Sequence, residues 1–166
     1  MFARLKGVYQ SAMEIDGDDY VPFSADTNLG WTGELVALRY GDYEKSLVEI
    51  MFDERTGIVT KFAMPFWKRV NVLASAAVKT VPGVPVIEPP SHTFEGPSGC
   101  MRLDCPADFA LTLHNRELTL AIDGSADPVG GIGEGRVIFL VDAAQLLVGL
   151  RIADLTPNEL RALGIT

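Results

Sequence analysis

The sequence predicts an α+β protein, predominantly antiparallel β, with two β-meander-like units packed as a sandwich or curved sheet and a short C-terminal helix. Three observations carry this. Short β-rich apolar runs recur between turn signals along most of the chain. One stretch alone, residues 154–164, has a complete helix start and stop. Two segments, residues 46–66 and 135–155, repeat one strand–turn–strand pattern. At 166 residues the chain reads as a single domain.

The elements follow in order. Strands are expected near residues 3–9 and 13–23, with Asp16-Gly17 as the turn dipeptide inside the second. Residues 35–40 read as a strand. Residues 47–52 and 58–62 are β-rich runs around Asp53-Glu54-Arg55-Thr56-Gly57, where Gly57 can take the positive φ that closes a hairpin. In residues 67–80, Val70, Leu73, Ala74 and Ala77 share one helical face, so a helix is expected, although Val70-Asn71-Val72-Leu73 also suits a strand. Residues 81–99 hold five of the ten prolines and should form an extended connector. Residues 109–113 and 118–122 read as a hairpin across His114-Asn115-Arg116-Glu117. Residues 137–141 and 146–150 read as another across Asp142-Ala143-Ala144-Gln145, and their unbroken apolar character predicts cover on both faces, although either run also suits a buried helix. Thr156 is then an N-cap, Pro157 the first helical residue and Glu159 the far corner of a capping box, with Gly164 as the stop.

The repeat places Val48 beside Val137, Asp53 beside Asp142 and Val59 beside Val148. Upstream, Glu34-Leu35 and Glu117-Leu118 open similar strands. The repeat units are thus residues 34–66 and 117–155, joined by the proline-rich connector.

Composition excludes several classes. A hydrophobic content of 48% is too high for a disordered chain. No apolar run reaches the length of a helical membrane span. The basic start, Met1 to Gly7, is followed by no apolar signal region, so a cytoplasmic location is expected. A net charge of −8 with scattered cations opposes direct contact with nucleic acid or an anionic membrane, both of which need clustered Lys and Arg.

The candidate chemical motifs fail on context. Gly130-Gly131-Ile132-Gly133-Glu134-Gly135 lacks the Lys and Ser or Thr of a phosphate loop, and reads as a mobile loop between strands. His92, Cys100, Cys105 and His114 match no zinc spacing. The two cysteines read as small buried hydrophobes. No Gly-x-Ser-x-Gly occurs. Asp16-Gly17-Asp18-Asp19 opens like a calcium loop but lacks the later ligands. No catalytic residue, metal ligand or cofactor is assigned, and the expected protein is not an enzyme.

The exception is residues 14–44, which hold eight carboxylates against one cation, Arg39. The asymmetry is local: eleven carboxylates and five cations leave −6 on residues 1–57, and −2 remains on the rest. Tyr20, Phe23, Trp31, Tyr40 and Tyr43 lie in the same window. Carboxylates steer a cationic macromolecule, and Tyr and Trp are common interface anchors. The candidate partner-binding residues are Glu14, Asp16, Asp18, Asp19, Tyr20, Trp31, Asp42, Tyr43 and Glu44.

In its size, this acidic aromatic window and the C-terminal strand pair capped by Leu155-Thr156-Pro157-Asn158-Glu159-Leu160, the chain resembles, as a class, the immunity proteins that neutralise bacterial toxins. Those of contact-dependent inhibition systems are the nearest type. Such proteins share no motif, so no residue role is transferred. The resemblance implies a one-to-one complex with a basic toxin, often a nuclease, whose positive cleft is covered by carboxylates standing in for phosphates. A small-ligand-binding or enzymatic β-fold protein is the alternative, and it would require a deep apolar pocket with a few convergent polar groups.

Overall fold

The computed structural model describes residues 2–18, 20–21, 23–30, 33–68, 70–72, 77–89 and 101–165. The strands are β1 (Leu5–Tyr9), β2 (Glu14–Ile15), β3 (Phe23–Asp26), β4 (Leu35–Gly41), β5 (Leu47–Asp53), β6 (Val59–Phe66), β7 (Val70–Val72), β8 (Lys79–Val81), β9 (Val84–Ile87), β10 (Met101–Cys105), β11 (Phe109–His114), β12 (Glu117–Ile122), β13 (Gly130–Glu134), β14 (Val137–Val141) and β15 (Leu147–Ile152), followed by helix α1 (Pro157–Ala162). The α+β, mainly antiparallel class is as the apolar pattern indicates. One six-stranded sheet runs β10-β4-β5-β6-β3-β2. A seven-stranded sheet runs β7-β11-β12-β15-β14-β13-β8, and β1 pairs with β9 as a separate ribbon.

The sheets bury a common core. Phe62 and Met64 of β6 meet Leu118 and Leu120 of β12 and Leu150 and Ile152 of β15 around a residual void of about 10 Å³. Burying such side chains fully is worth about 1.5–3 kcal/mol each. The ribbon links the two sheets through their turns. Ile87 N–H donates to Gly57 O and Leu5 N–H to Gln145 O, both at 2.8 Å. Gly57 has φ of +76°, and a Cβ there would overlap the Ile87 carbonyl, so glycine is required twice over.

The two sheets share one strand order. Read from the β10 edge, the first runs 10-4-5-6-3-2; read from the β8 edge, the second runs 8-13-14-15-12-11 and then adds β7. A row of paired residues crosses each. In the first it is Leu103, Leu38, Ile50, Phe62, Ala25 and Ile15. In the second it is Val81, Ile132, Phe139, Leu150, Leu120 and Leu111, extended by Val70. Ile50 and Phe139 each stand three residues before the aspartate that closes their hairpin. Those aspartates, Asp53 and Asp142, are 2% and 5% exposed. Asp53 Oδ1 accepts from Thr56 N–H (2.7 Å) and Thr56 Oγ1 (2.6 Å); Asp142 Oδ1 accepts from Ala144 N–H (2.9 Å) and Leu146 N–H (2.8 Å).

Four expectations are corrected. The strands opened by Glu34-Leu35 and Glu117-Leu118 are not counterparts: β12 holds the place of β3, and β4 matches β13. In the second hairpin the turn is one residue shorter, so Val59 matches Leu147 rather than Val148. No helix covers residues 67–80 among the described positions; Val70–Val72 and Lys79–Val81 are strands, because each finds a sheet edge, β11 and β13 respectively. Residues 130–134 are strand β13, not a loop. Their glycines suit close approach, since a Cβ on Gly133 would overlap Val137 O and one on Gly131 would press on Ile138.

In the proline-rich segment, Val84–Ile87 pairs as β9 with β1. Its remainder beyond residue 89, with His92 and Cys100, lies outside the described residues, while Cys105 is buried. Helix α1 has its whole capping box and Pro157 at its start, and Gly164 ends it at φ +74°. No helix among the described residues is long and apolar enough to cross a membrane.

Candidate acidic docking end

Two acidic connections emerge at one end of the six-stranded sheet. β5 and β6 pair Leu47 with Phe66, and β6 and β3 pair Met64 with Phe23, so the β4–β5 loop (residues 42–46) and the β2–β3 connection (residues 16–22) share that end. Three strand spacings separate the hairpins, about 14 Å at about 4.8 Å each.

The β4–β5 loop is built by Asp42. Its Oδ1 accepts from the backbone N–H groups of Glu44 (3.2 Å), Lys45 (2.8 Å) and Ser46 (2.9 Å). Its Oδ2 lies 3.0 Å from Lys68 Nζ. The Lys45 N–H bond, with Lys68 and the other amides, holds this carboxyl far below the usual carboxylate range. Lys68 also pairs with Asp108, which accepts from the buried Ser46 hydroxyl at 2.9 Å. These contacts pull Lys68 upward and hold Asp108 below its ordinary value, Asp108 being the larger influence on Lys68. Tyr43 folds back over the sheet: Arg39 lies 5.1 Å from its ring centroid, and its hydroxyl reaches Arg39 O at 3.4 Å. Arg39 in turn spans Glu49 and Asp104, each at 3.4 Å. Glu44 is exposed and makes no side-chain ion pair among the described residues.

In the other connection, Asp16 accepts from the Ser24 hydroxyl and lies 3.9 Å from Lys61. Asp18 Oδ1 accepts from Tyr20 N–H (2.8 Å) and Val21 N–H (2.7 Å). Those bonds, Val21 first, lower its pKa and keep it ionised at neutral pH. Asp18 and Glu14 are exposed and make no ion pair among the described residues. Tyr20 is 88% exposed.

The sequence-picked residues therefore divide. Glu14, Asp18, Tyr20 and Glu44 are exposed, with side-chain capacity left for a partner. Asp16, Asp42 and Tyr43 spend theirs on the fold. Asp19 and Trp31 lie outside the described residues. Sequence reasoning missed Lys68, which offsets part of the acidity, and Asp104 and Asp108, which add carboxylates beside Arg39 and Lys68. Only the parallel β10–β4 pairing and the start of β11 bring them there, and neither leaves a local signal.

Beside this end lies a polar cleft of about 360 Å³ between the β2–β3 connection and α1, lined by Ile15, Gly17, Asp18, Arg136, Thr156, Asn158, Glu159 and Ala162. Arg136 is engaged there, its Nη2 with Glu159 at 2.6 Å and its Nε with Ala153 O at 3.1 Å. Burial alone would raise the Glu159 pKa, and Arg136 together with the Thr156 cap more than offsets it, so the carboxyl stays low. Within this pair charge is balanced, which leaves Asp18 as the net charge on the wall. Among the described residues no group of three or more His, Cys, Asp or Glu side chains could hold a metal ion. No family model matches the chain, and no curated protein matches it.

Proposed function

We propose that this chain is a non-catalytic acidic binding protein that neutralises a basic protein partner of toxin type, a nuclease being the best fit, by covering its positive surface. The observation supporting this reading is the common placement of the two acidic connections at one end of one sheet. Asp18 and Glu44, one in each connection, are exposed and free of ion pairs among the described residues, as is Glu14 at the start of β2, and Tyr20 is 88% exposed. A cationic partner meets unbalanced negative charge there without first breaking internal pairs. Elsewhere, acids such as Glu117 and Glu49 are paired across the sheet to Arg151 and Arg39. A phosphate-bearing partner would be repelled by the same surface.

The test is affinity capture from the native host at low salt, with the wild-type chain and an Asp18→Lys/Glu44→Lys variant as paired baits. The wild type should retain a strongly basic protein that the variant loses. A partner retained equally by both baits refutes the placement of the interface, and a partner of acidic surface refutes the mechanism.

A further inference from the structure

Among the described residues, the seven-stranded sheet carries a strand that the six-stranded sheet lacks. Leu111, Thr112 and Leu113 of β11 pair in parallel with Val70, Asn71 and Val72 of β7. By the matched residue rows, Leu111 corresponds to Ile15, so Thr112 and Leu113 correspond to Asp16 and Gly17. Residues 15 and 17 are two of those that line the cleft against α1. The cleft therefore borders the residues that correspond to those β7 covers in the other sheet.

The backbone there is set for a strand. Asp16 N–H donates to Ser24 O at 3.0 Å, which places residue 16 in a hydrogen-bonded pair with β3. In an antiparallel ladder alternate residues turn their N–H and C=O outward, so Ile15 and Gly17, both on the cleft wall, turn theirs away from β3. An unpaired edge of this kind is a template for an added strand.

We infer that the groove between β2 and α1 receives an extended, basic segment of the partner, laid parallel to β2 as β7 is laid along β11. This rests on the proposed function and specifies where the partner seats. Charge selects the occupant: Asp18 lies on the wall without an ion pair among the described residues, the exposed Glu14 stands on the β2 edge, and Arg136 is already held by Glu159. The apolar row ending at Ile15 asks for an apolar residue opposite it, as Val70 stands opposite Leu111.

The chain supplies its own probe. A peptide with the sequence of residues 66–73, Phe-Trp-Lys-Arg-Val-Asn-Val-Leu, is basic and contains the strand that fills the matching seat. It is titrated into the full-length ¹⁵N-labelled protein and followed by amide shifts. The expected result is saturable shifts at Ile15, Gly17 and Asp18, weakened at least fivefold by Asp18→Lys and by Gly17→Pro. Gly17→Pro removes an outward N–H and spares the β3 ladder. Ala162→Trp, which fills the groove from the helix side, gives the same loss should the proline disturb the turn. No shift at these amides up to about 1 mM peptide overturns the inference. Shifts confined to Leu111 and Leu113, reporting exchange with β7, overturn it too. With a captured partner, binding that falls with Glu44→Lys but not with Ala162→Trp rejects the groove and keeps the acidic end. Binding indifferent to both rejects the two together.

Discussion

Replacing Asp53 with alanine should be among the most damaging single changes outside the apolar core. The carboxylate is 2% exposed and Oδ1 takes both the N–H and the hydroxyl of Thr56. A hydrogen bond to a charged group contributes about 1.5–3 kcal/mol, and the two act on one turn, so about 3 kcal/mol is a fair total. For a chain of this size that is a fall in Tm of about 6–12 °C. The pH dependence gives an independent check. Burial pushes the Asp53 carboxyl up, but Thr56 and Arg55 outweigh it and leave the folded pKa lowered. A lowered folded pKa means stability that is complete above the unfolded value near 3.9 and lost as pH falls through the folded one. Urea unfolding of wild type and Asp53→Ala at neutral pH and at pH about 3 should show a stability difference that narrows in acid. A difference below about 1 kcal/mol at neutral pH, or one that widens in acid, would refute the reasoning.

Asp142→Ala should behave like Asp53→Ala in neutral urea unfolding, since it removes two turn bonds at the matching place; a neutral outcome would break the correspondence of the two hairpins. Thr156→Ala should cost about 1 kcal/mol by opening the capping box, read as an earlier loss of α1 protection in hydrogen exchange. Leu118→Ala should cost about 2–5 kcal/mol in chemical denaturation, because the side chain is fully buried between the sheets. Cys105 is buried and its thiol is pushed up by that burial, so iodoacetamide should label it only after unfolding; rapid labelling of the native chain at this residue would contradict the packing.

Much of this fold was legible because its signals are local. The capping box around Thr156 and Glu159, the turn at Asp53 to Gly57 and the apolar runs of β5, β14 and β15 are each written within a few residues. Asp53 and Asp142 marked the matching hairpins because a turn-closing aspartate needs only the amides that follow it. What misled was decided from afar. Val70-Asn71-Val72 fits either period, and the free edge of β11, some forty residues later, makes it a strand. The glycines of β13 looked like a loop because the Val137 and Ile138 contacts that demand them are tertiary. At the acidic end the carboxylates were visible in the sequence, but their neutralisation was not. Lys68 reaches Asp42 and Asp108 only once β6 and β11 are in place. Asp42 itself resembles Asp18 in the sequence, yet one is spent on its loop and an ion pair while the other is left facing a groove.

The most direct measurement is the association rate of the captured partner with wild type and with Asp18→Lys/Glu44→Lys across a range of ionic strength. The wild-type rate should fall steeply as salt rises, and the variant should start at least tenfold slower with a flatter slope. Identical, salt-insensitive rates for the two proteins would show that the negative end of the six-stranded sheet plays no part in recognition.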